Sequence, residues 1–200
     1  MNTSVVVREA VPEEMEEIIA AHERSWHAAY PGLLPPEFLA ATGRDYFEKV
    51  WKSQLSGNCP DKGYVAEMNG KIVGIMRCGP DSGGEEGAGE LHQVYLVPEA
   101  QGLGIGKALI HKSMQILHTM GYARMNILVV AANAQACGAY MRMGARLKAT
   151  MRMTFERGGR KVDGDMAVYA VPDLAAALAA LARPMKPKPQ QPMPTMIPGG

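Results

Sequence analysis

Cysteine is scarce in this 200-residue chain: the three present, Cys59, Cys78 and Cys137, are odd in number and far apart. That pattern excludes a disulfide framework and a CxxC metal pair, and makes a reducing cytoplasm the expected compartment. A surplus of charge is missing too, since the formal net charge is +1. A strongly basic chain would point to nucleic acid, and near-neutrality leaves no such argument. No apolar run approaches the roughly 20 residues that cross a bilayer, so no membrane partner is expected. Met1–Ser4 passes straight into Val5-Val6-Val7, without the parts of a signal peptide. His22, His111 and His118 lack metal-ligand spacing, and no metal is expected. No internal repeat is present. What remains is a hydrophobic share of 47%, enough for one globular domain with a real core.

The chain alternates strand-like and helix-like stretches. Val5–Arg8 reads as a strand, and Pro12 with Glu13, Glu14 and Glu16 opens a helix whose positive end suits those carboxylates. That helix runs to about Tyr30, where Pro31-Gly32 breaks it; a second helix spans Arg44–Gln54. Tyr64–Met68 and Lys71–Cys78 are strands joined by Asn69-Gly70, the preferred pair for a two-residue type I′ hairpin turn. Gly79–Gly89 reads as a polar loop and Leu91–Val97 as a strand stopped by Pro98. Leu103–Met120 has helical spacing, Asn126–Val130 is a short β-branched run for a buried strand, and Asn133–Met143 is a helix stopped by Gly144. Arg146–Phe155 and Met166–Val171 form strands around the turn-rich Arg157–Arg160. Asp173 caps a last Ala/Leu helix over residues 173–183, and the Pro-rich tail of residues 184–200 is expected to be disordered. The class is α/β, with an early hairpin that argues against an all-parallel sheet.

The segment Glu90–Ala108 is the most informative. A strand enters a glycine-rich turn that leads directly into an amphipathic helix. The first turn of such a helix offers N–H groups without intrahelical acceptors, at the positive end of the dipole. Gly102, Gly104 and Gly106 remove the side chains that would keep a diphosphate from those donors, and Lys107 adds charge at the rim. A Walker A loop fails here, because Gln101 stands where its first glycine belongs and Ala108 follows the lysine. A GxGxxG fingerprint fails as well, with Lys107 at the third glycine.

Gln101, Gly104 and Gly106 instead resemble the acyl-CoA signature [QR]-x-x-G-x-[GA] of the GNAT superfamily of N-acetyltransferases. Asn133–Gly144 is similar to that family's second cofactor segment, N-x-x-A-x-x-x-Y-x-x-x-G, and Trp26–Pro35 to a helix–loop element of its bacterial members. The resemblance covers Val5 to Val171. It implies a GNAT domain over residues 1–172, with a central mixed, mostly antiparallel twisted sheet of about seven strands flanked by helices. It also implies acetyl transfer from acetyl-CoA to a primary amine on a small molecule, peptide or protein, by direct attack in a ternary complex. Dimers are common in such a family. A non-catalytic acyl-CoA-binding module is the alternative.

The same resemblance assigns roles. Tyr140 is either the general acid that protonates the departing thiolate or a packed core tyrosine. The base is Glu90, His92 or water, the two side chains sharing a face unless a bulge intervenes. Backbone groups of Leu96 and Val97 are expected to pair with the pantetheine arm, and the run Gln101, Gly102, Leu103, Gly104, Ile105, Gly106 and Lys107 to hold the diphosphate. Asn133 either meets the cofactor or only caps its helix. Trp26 and Tyr30, with His92, are candidates for the acceptor pocket.

Overall fold

The computed structural model describes residues 5–182, so the tail expected to be disordered lies outside the described residues. The chain begins with β1 (Val5–Glu9), a 3-10 turn at Pro12–Glu14, α1 (Met15–Ala29), α2 (Pro36–Ala41) and α3 (Arg44–Leu55). Then come β2 (Lys62–Met68), β3 (Lys71–Pro80), β4 (Ala88–Leu96), a 3-10 turn at Pro98–Ala100 and α4 (Ile105–Thr119). β5 (Arg124–Val130), α5 (Ala134–Arg142), β6 (Arg146–Arg157), β7 (Arg160–Val171) and α6 (Leu174–Ala182) complete it.

All seven strands lie in one open sheet, ordered β1-β2-β3-β4-β5-β7-β6. Every neighbouring pair is antiparallel except β4 and β5, which α4 joins by a parallel crossover. At the β2–β3 hairpin Asn69 and Gly70 adopt φ of 54° and 74°, the paired positive values that a type I′ turn requires. The β6–β7 hairpin closes on Gly158-Gly159, so both strands are longer than their hydrophobic patterns suggested. Their outer halves alternate exposed residues with half-buried ones such as Met153, Phe155 and Val162, and the cross-strand ladder runs the length of both. The expected loop Gly79–Gly89 also shortens, because β3 runs to Pro80 and β4 begins at Ala88.

The core is shared between helices and sheet. Ile18 and Ile19 of α1, Phe47 and Trp51 of α3, Ile75 of β3, and Leu109, Met114 and Leu117 of α4 are fully buried. His22 belongs to this core: its Nδ1 accepts the Trp51 indole N–H at 3.1 Å. Burial, then the nearby Arg77 charge, lower its pKa to about 3, so it is a neutral packing residue. Asp173 caps α6 as expected, its carboxylate accepting from Ala176 N at 2.9 Å.

Candidate active site

The cleft is a consequence of how two strands part. β4 and β5 pair over only four positions, Ala88–Leu91 against Arg124–Ile127. Beyond them β4 stays with β3 as far as Leu96, whereas β5 follows β7. A cleft of about 850 Å³ occupies the gap, lined by Val94 and Leu96 on one side and by Leu128, Val129 and Val130 on the other. Backbone groups alternate along a strand, so those of Leu96 turn away from β3 into the gap, where its C=O accepts from Gln101 Nε2 at 3.4 Å and its N–H has no partner in β3. Those of Val97 do not: its N–H donates to Val73 O at 3.0 Å and its C=O accepts from Ala100 N at 3.0 Å. The expected pairing of Val97 with a pantetheine arm is therefore corrected, because both of its backbone groups are already engaged.

At one end of the cleft stands the glycine turn. Gly102 and Gly104 have φ of 75° and 82°, and Gly104 is the N-terminal cap of α4. The backbone ladder of α4 begins with Ala108 N donating to Gly104 O at 3.1 Å. The amides before it keep no helical acceptor, and no acidic side chain occupies the first turn. Gln101, Gly102, Gly104, Gly106 and Lys107 line the cleft. Leu103 and Ile105 do not: Leu103 points to solvent and Ile105 into the core. A methyl group at Gly102 or Gly104 would meet no protein atom within 4 Å, so both face room that a bound group can fill. A diphosphate fits this cradle on every count: open space, unpaired N–H donors, a helix dipole and a lysine.

The opposite flank of the turn is α5. Asn133 Oδ1 accepts from Ala136 N at 3.0 Å, so this side chain is the cap of α5 while also lining the cleft. Gln135 Nε2 donates to Gln101 Oε1 at 3.2 Å and ties the start of α5 to the glycine turn. Seven residues on, Tyr140 is buried yet still reaches the cleft wall. Its hydroxyl makes no hydrogen bond among the described residues, and burial, with Tyr30 and Cys137 nearby, pushes its ionisation far upward. It therefore stands protonated and free to donate.

Glu90 and His92 are separated by a bulge. Arg77 pairs with Gln93 and Cys78 with Leu91, leaving His92 as the extra residue on β4. His92 lines the cleft; Glu90 does not. The Glu90 carboxylate accepts from Ser82 N at 2.9 Å and Ser82 Oγ at 2.5 Å. Its other oxygen lies 3.4 Å from His92 Nδ1. Asp61 Oδ1 lies 3.3 Å from His92 Nε2, a close ion contact without hydrogen-bond alignment, and Arg77 pairs with Asp61 at 2.8 Å. Burial alone would lower the His92 pKa, but the flanking carboxylates of Asp61 and Glu90 outweigh it and raise it to about 9. The imidazole is thus a cation at neutral pH, with a carboxylate beside each nitrogen.

The sign of its contribution to stability follows. A raised folded-state pKa stabilises fully below the ordinary value of 6.5 and loses that stabilisation as pH rises through about 9. Denaturation midpoints should decline across that window, and Asp61→Asn should flatten the decline; an unchanged slope in the variant would remove the clamp.

The other wall comes from α1, α2, α3 and the β6–β7 hairpin. Trp26 and Tyr30 line it, Tyr30 sharing a hydrogen bond of 2.8 Å with Tyr95. Leu34, Phe38, Tyr46 and Phe155 join them without having been singled out as lining residues, and Arg157 of the β6–β7 hairpin lines the wall as well. Leu34 comes from the turn that follows α1, and Phe38 from α2, a six-residue helix that only its Pro35-Pro36-Glu37 start signals in the sequence.

Comparison with known proteins agrees with this architecture. A profile of the acetyltransferase (GNAT) family matches residues 17–145. The uncharacterized N-acetyltransferase YuaI of Bacillus subtilis (strain 168) is 34% identical over 132 residues, 64% of this chain and 73% of that protein. The mycothiol acetyltransferase of Acidothermus cellulolyticus is 35% identical over 112 residues, 50% of this chain but only 34% of its own length. Among solved structures, PaiA N-acetyltransferase from Thermoplasma acidophilum, in complex with coenzyme A, superposes with a TM-score of 0.66 at 20% identity. That match covers 82% of this chain and 98% of the other. The ribosomal-protein-S18-alanine N-acetyltransferase of Escherichia coli gives 0.62 at 18% identity, over 85% and 94%. Such distant structures speak to fold alone, and their fold is the one described above. Profile, relatives and the parted strands beside a glycine-capped helix agree, and the chain belongs to the GNAT acetyltransferase family.

Proposed function

We propose that the protein transfers an acetyl group from acetyl-CoA to a primary amine in a ternary complex, both substrates occupying the one cleft. The observation that carries this reading is the alignment along that cleft of the bare N-terminus of α4, the unpaired edge of β4 and the Tyr140 hydroxyl. Gly102, Gly104, Gly106 and Lys107 would hold the diphosphate, and Leu96 the pantetheine amides. When bound, acetyl-CoA supplies an activated thioester carbonyl. The amine nitrogen forms the new bond to that carbon as the C–S bond breaks, and Tyr140 gives its proton to the departing sulfur.

The amine must lose a proton as well. Among the described residues no carboxylate lines the cleft, Glu90 is held by Ser82, and His92 is a cation flanked by Asp61 and Glu90. These placements support loss of the proton to water, with Glu90 and Asp61 acting on the site through His92.

Calorimetric titration should show binding of acetyl-CoA and none of ATP or NAD, and an amine screen should then yield turnover that rises with pH along the acceptor's own ionisation. Absence of acetyl-CoA binding would end the enzyme reading. Binding with no transfer to any amine would make the chain an acyl-CoA-binding module. A pH limb pinned at about 9 for every acceptor would make His92 the proton's receiver.

A further inference from the structure

The charge in the cleft is distributed unevenly. Of the cations that line it, Lys107 sits in the first turn of α4, at the glycine turn, and Arg142 at the C-terminal end of α5. His92 is balanced by Asp61 and Glu90. Arg157 is different. It comes from the end of β6 into the wall built by Trp26, Tyr30, Leu34, Phe38, Tyr46 and Phe155.

Its guanidinium carbon lies 4.2 Å from the centre of the Tyr46 ring. Nη2 donates to Tyr46 Oη at 3.0 Å and Nη1 to Glu156 O at 2.7 Å. No carboxylate pairs with it among the described residues, whereas Arg152 pairs with Asp165 and Lys161 with Glu156 on the same hairpin. A guanidinium has five N–H donors, so most of its capacity is unused. The half-buried Arg157 is thus held by an aromatic ring and a hydroxyl, in a wall that offers no negative charge.

An acceptor that is only a cation would add positive charge to this wall with nothing to neutralise it. An acceptor that carries its own carboxylate would bring the missing partner, and the planar guanidinium fork matches a carboxylate in two-point contact. One uncompensated cation against an otherwise apolar and aromatic surface suits a monoanion better than a phosphate. The rest of that surface asks for an apolar body.

Resting on the transfer reaction above, we propose that the acceptor is a small aminocarboxylate with an aromatic or branched apolar body. Its carboxylate is received by Arg157 and its body lies against Trp26, Phe38 and Phe155. Specificity then has a repulsive element as well as an attractive one, since plain amines and polyamines meet an unpaired Arg157.

The test compares phenylalanine and leucine with their decarboxylated counterparts, 2-phenylethylamine and isopentylamine, in acetyl-CoA turnover by the intact enzyme and by Arg157→Gln. The intact enzyme should favour the amino acids. The variant should lose about 10- to 100-fold in kcat/KM for them, mainly through KM, while use of the plain amines rises as the opposing charge is removed. Arg157→Lys, which keeps the charge and loses the fork, should fall between. Acetyl-CoA affinity and thermal stability act as folding controls in both variants. Equal or better use of the plain amines by the intact enzyme, transfer to none of the four compounds, or an equal loss on both classes in the variants, would overturn the proposal while leaving acetyl-CoA binding in place. Failure of the intact protein to bind acetyl-CoA would instead remove the transfer reaction on which it rests.

Discussion

Gly104→Glu should abolish coenzyme A binding while leaving the protein folded. Gly104 caps α4 with φ of 82°, and a Cβ there meets no protein atom within 4 Å. The new side chain therefore has room, and its cost to the fold is limited to the left-handed backbone, roughly 1–2 kcal/mol for a residue other than glycine. A carboxylate at a helix N-terminus is itself favourable, which offsets part of that cost. It lies, however, where the diphosphate would lie, and it brings like charge to an anion. Juxtaposed like charges cost several kcal/mol, so affinity should fall by more than about 100-fold. Gly104→Ala separates the two effects, since it carries the backbone strain without the charge. Calorimetry on both variants reads the answer, and unchanged affinity in Gly104→Glu would move the diphosphate away from this turn.

Tyr140→Phe should lower kcat by about 100-fold or more, within the range usual for a general acid, while acetyl-CoA affinity stays near that of the parent. The hydroxyl has no hydrogen-bond partner among the described residues, so its removal should leave thermal stability almost unchanged. The ring itself packs against the core from α5, near Tyr169, and is retained in the variant. A loss confined to kcat would identify a proton delivered during the reaction. An unchanged kcat would return Tyr140 to a packing role, and equal loss in kcat and stability would point to disturbed structure.

Local chemistry made much of this molecule legible from its letters. Asn69-Gly70 permits one kind of turn, and the structure makes that turn. Strand, glycine run and amphipathic helix at Glu90–Ala108 follow each other in the order that their spacing dictates. What the letters left open or hid depends on how the chain packs in three dimensions. Which face His92 takes is set by a bulge against Arg77 and Cys78, and no periodicity within β4 reveals it. Val97 loses its backbone groups to Val73 and to a 3-10 turn, both invisible in an apolar run. Arg157 looks like one more charge on a solvated hairpin; only the packing of Tyr46 beneath its guanidinium draws it inward. The wall around Arg157 is assembled from separate elements of the chain, so its chemistry is a property of tertiary structure.

The four residue pairs that join β4 to β5 have a mechanical meaning. They are the spine of a book whose two covers are β1–β4 and β5–β7, and beyond Leu91 and Ile127 the facing edges of the covers part. Leverage then concentrates at Ala88–Leu91 and Arg124–Ile127, where a small rotation about the spine becomes a larger displacement at the open edge. A molecule lying between the covers and bonded to both would act as a splint. Substitutions near the spine should consequently be felt at the far end of the cleft, although they touch nothing bound there.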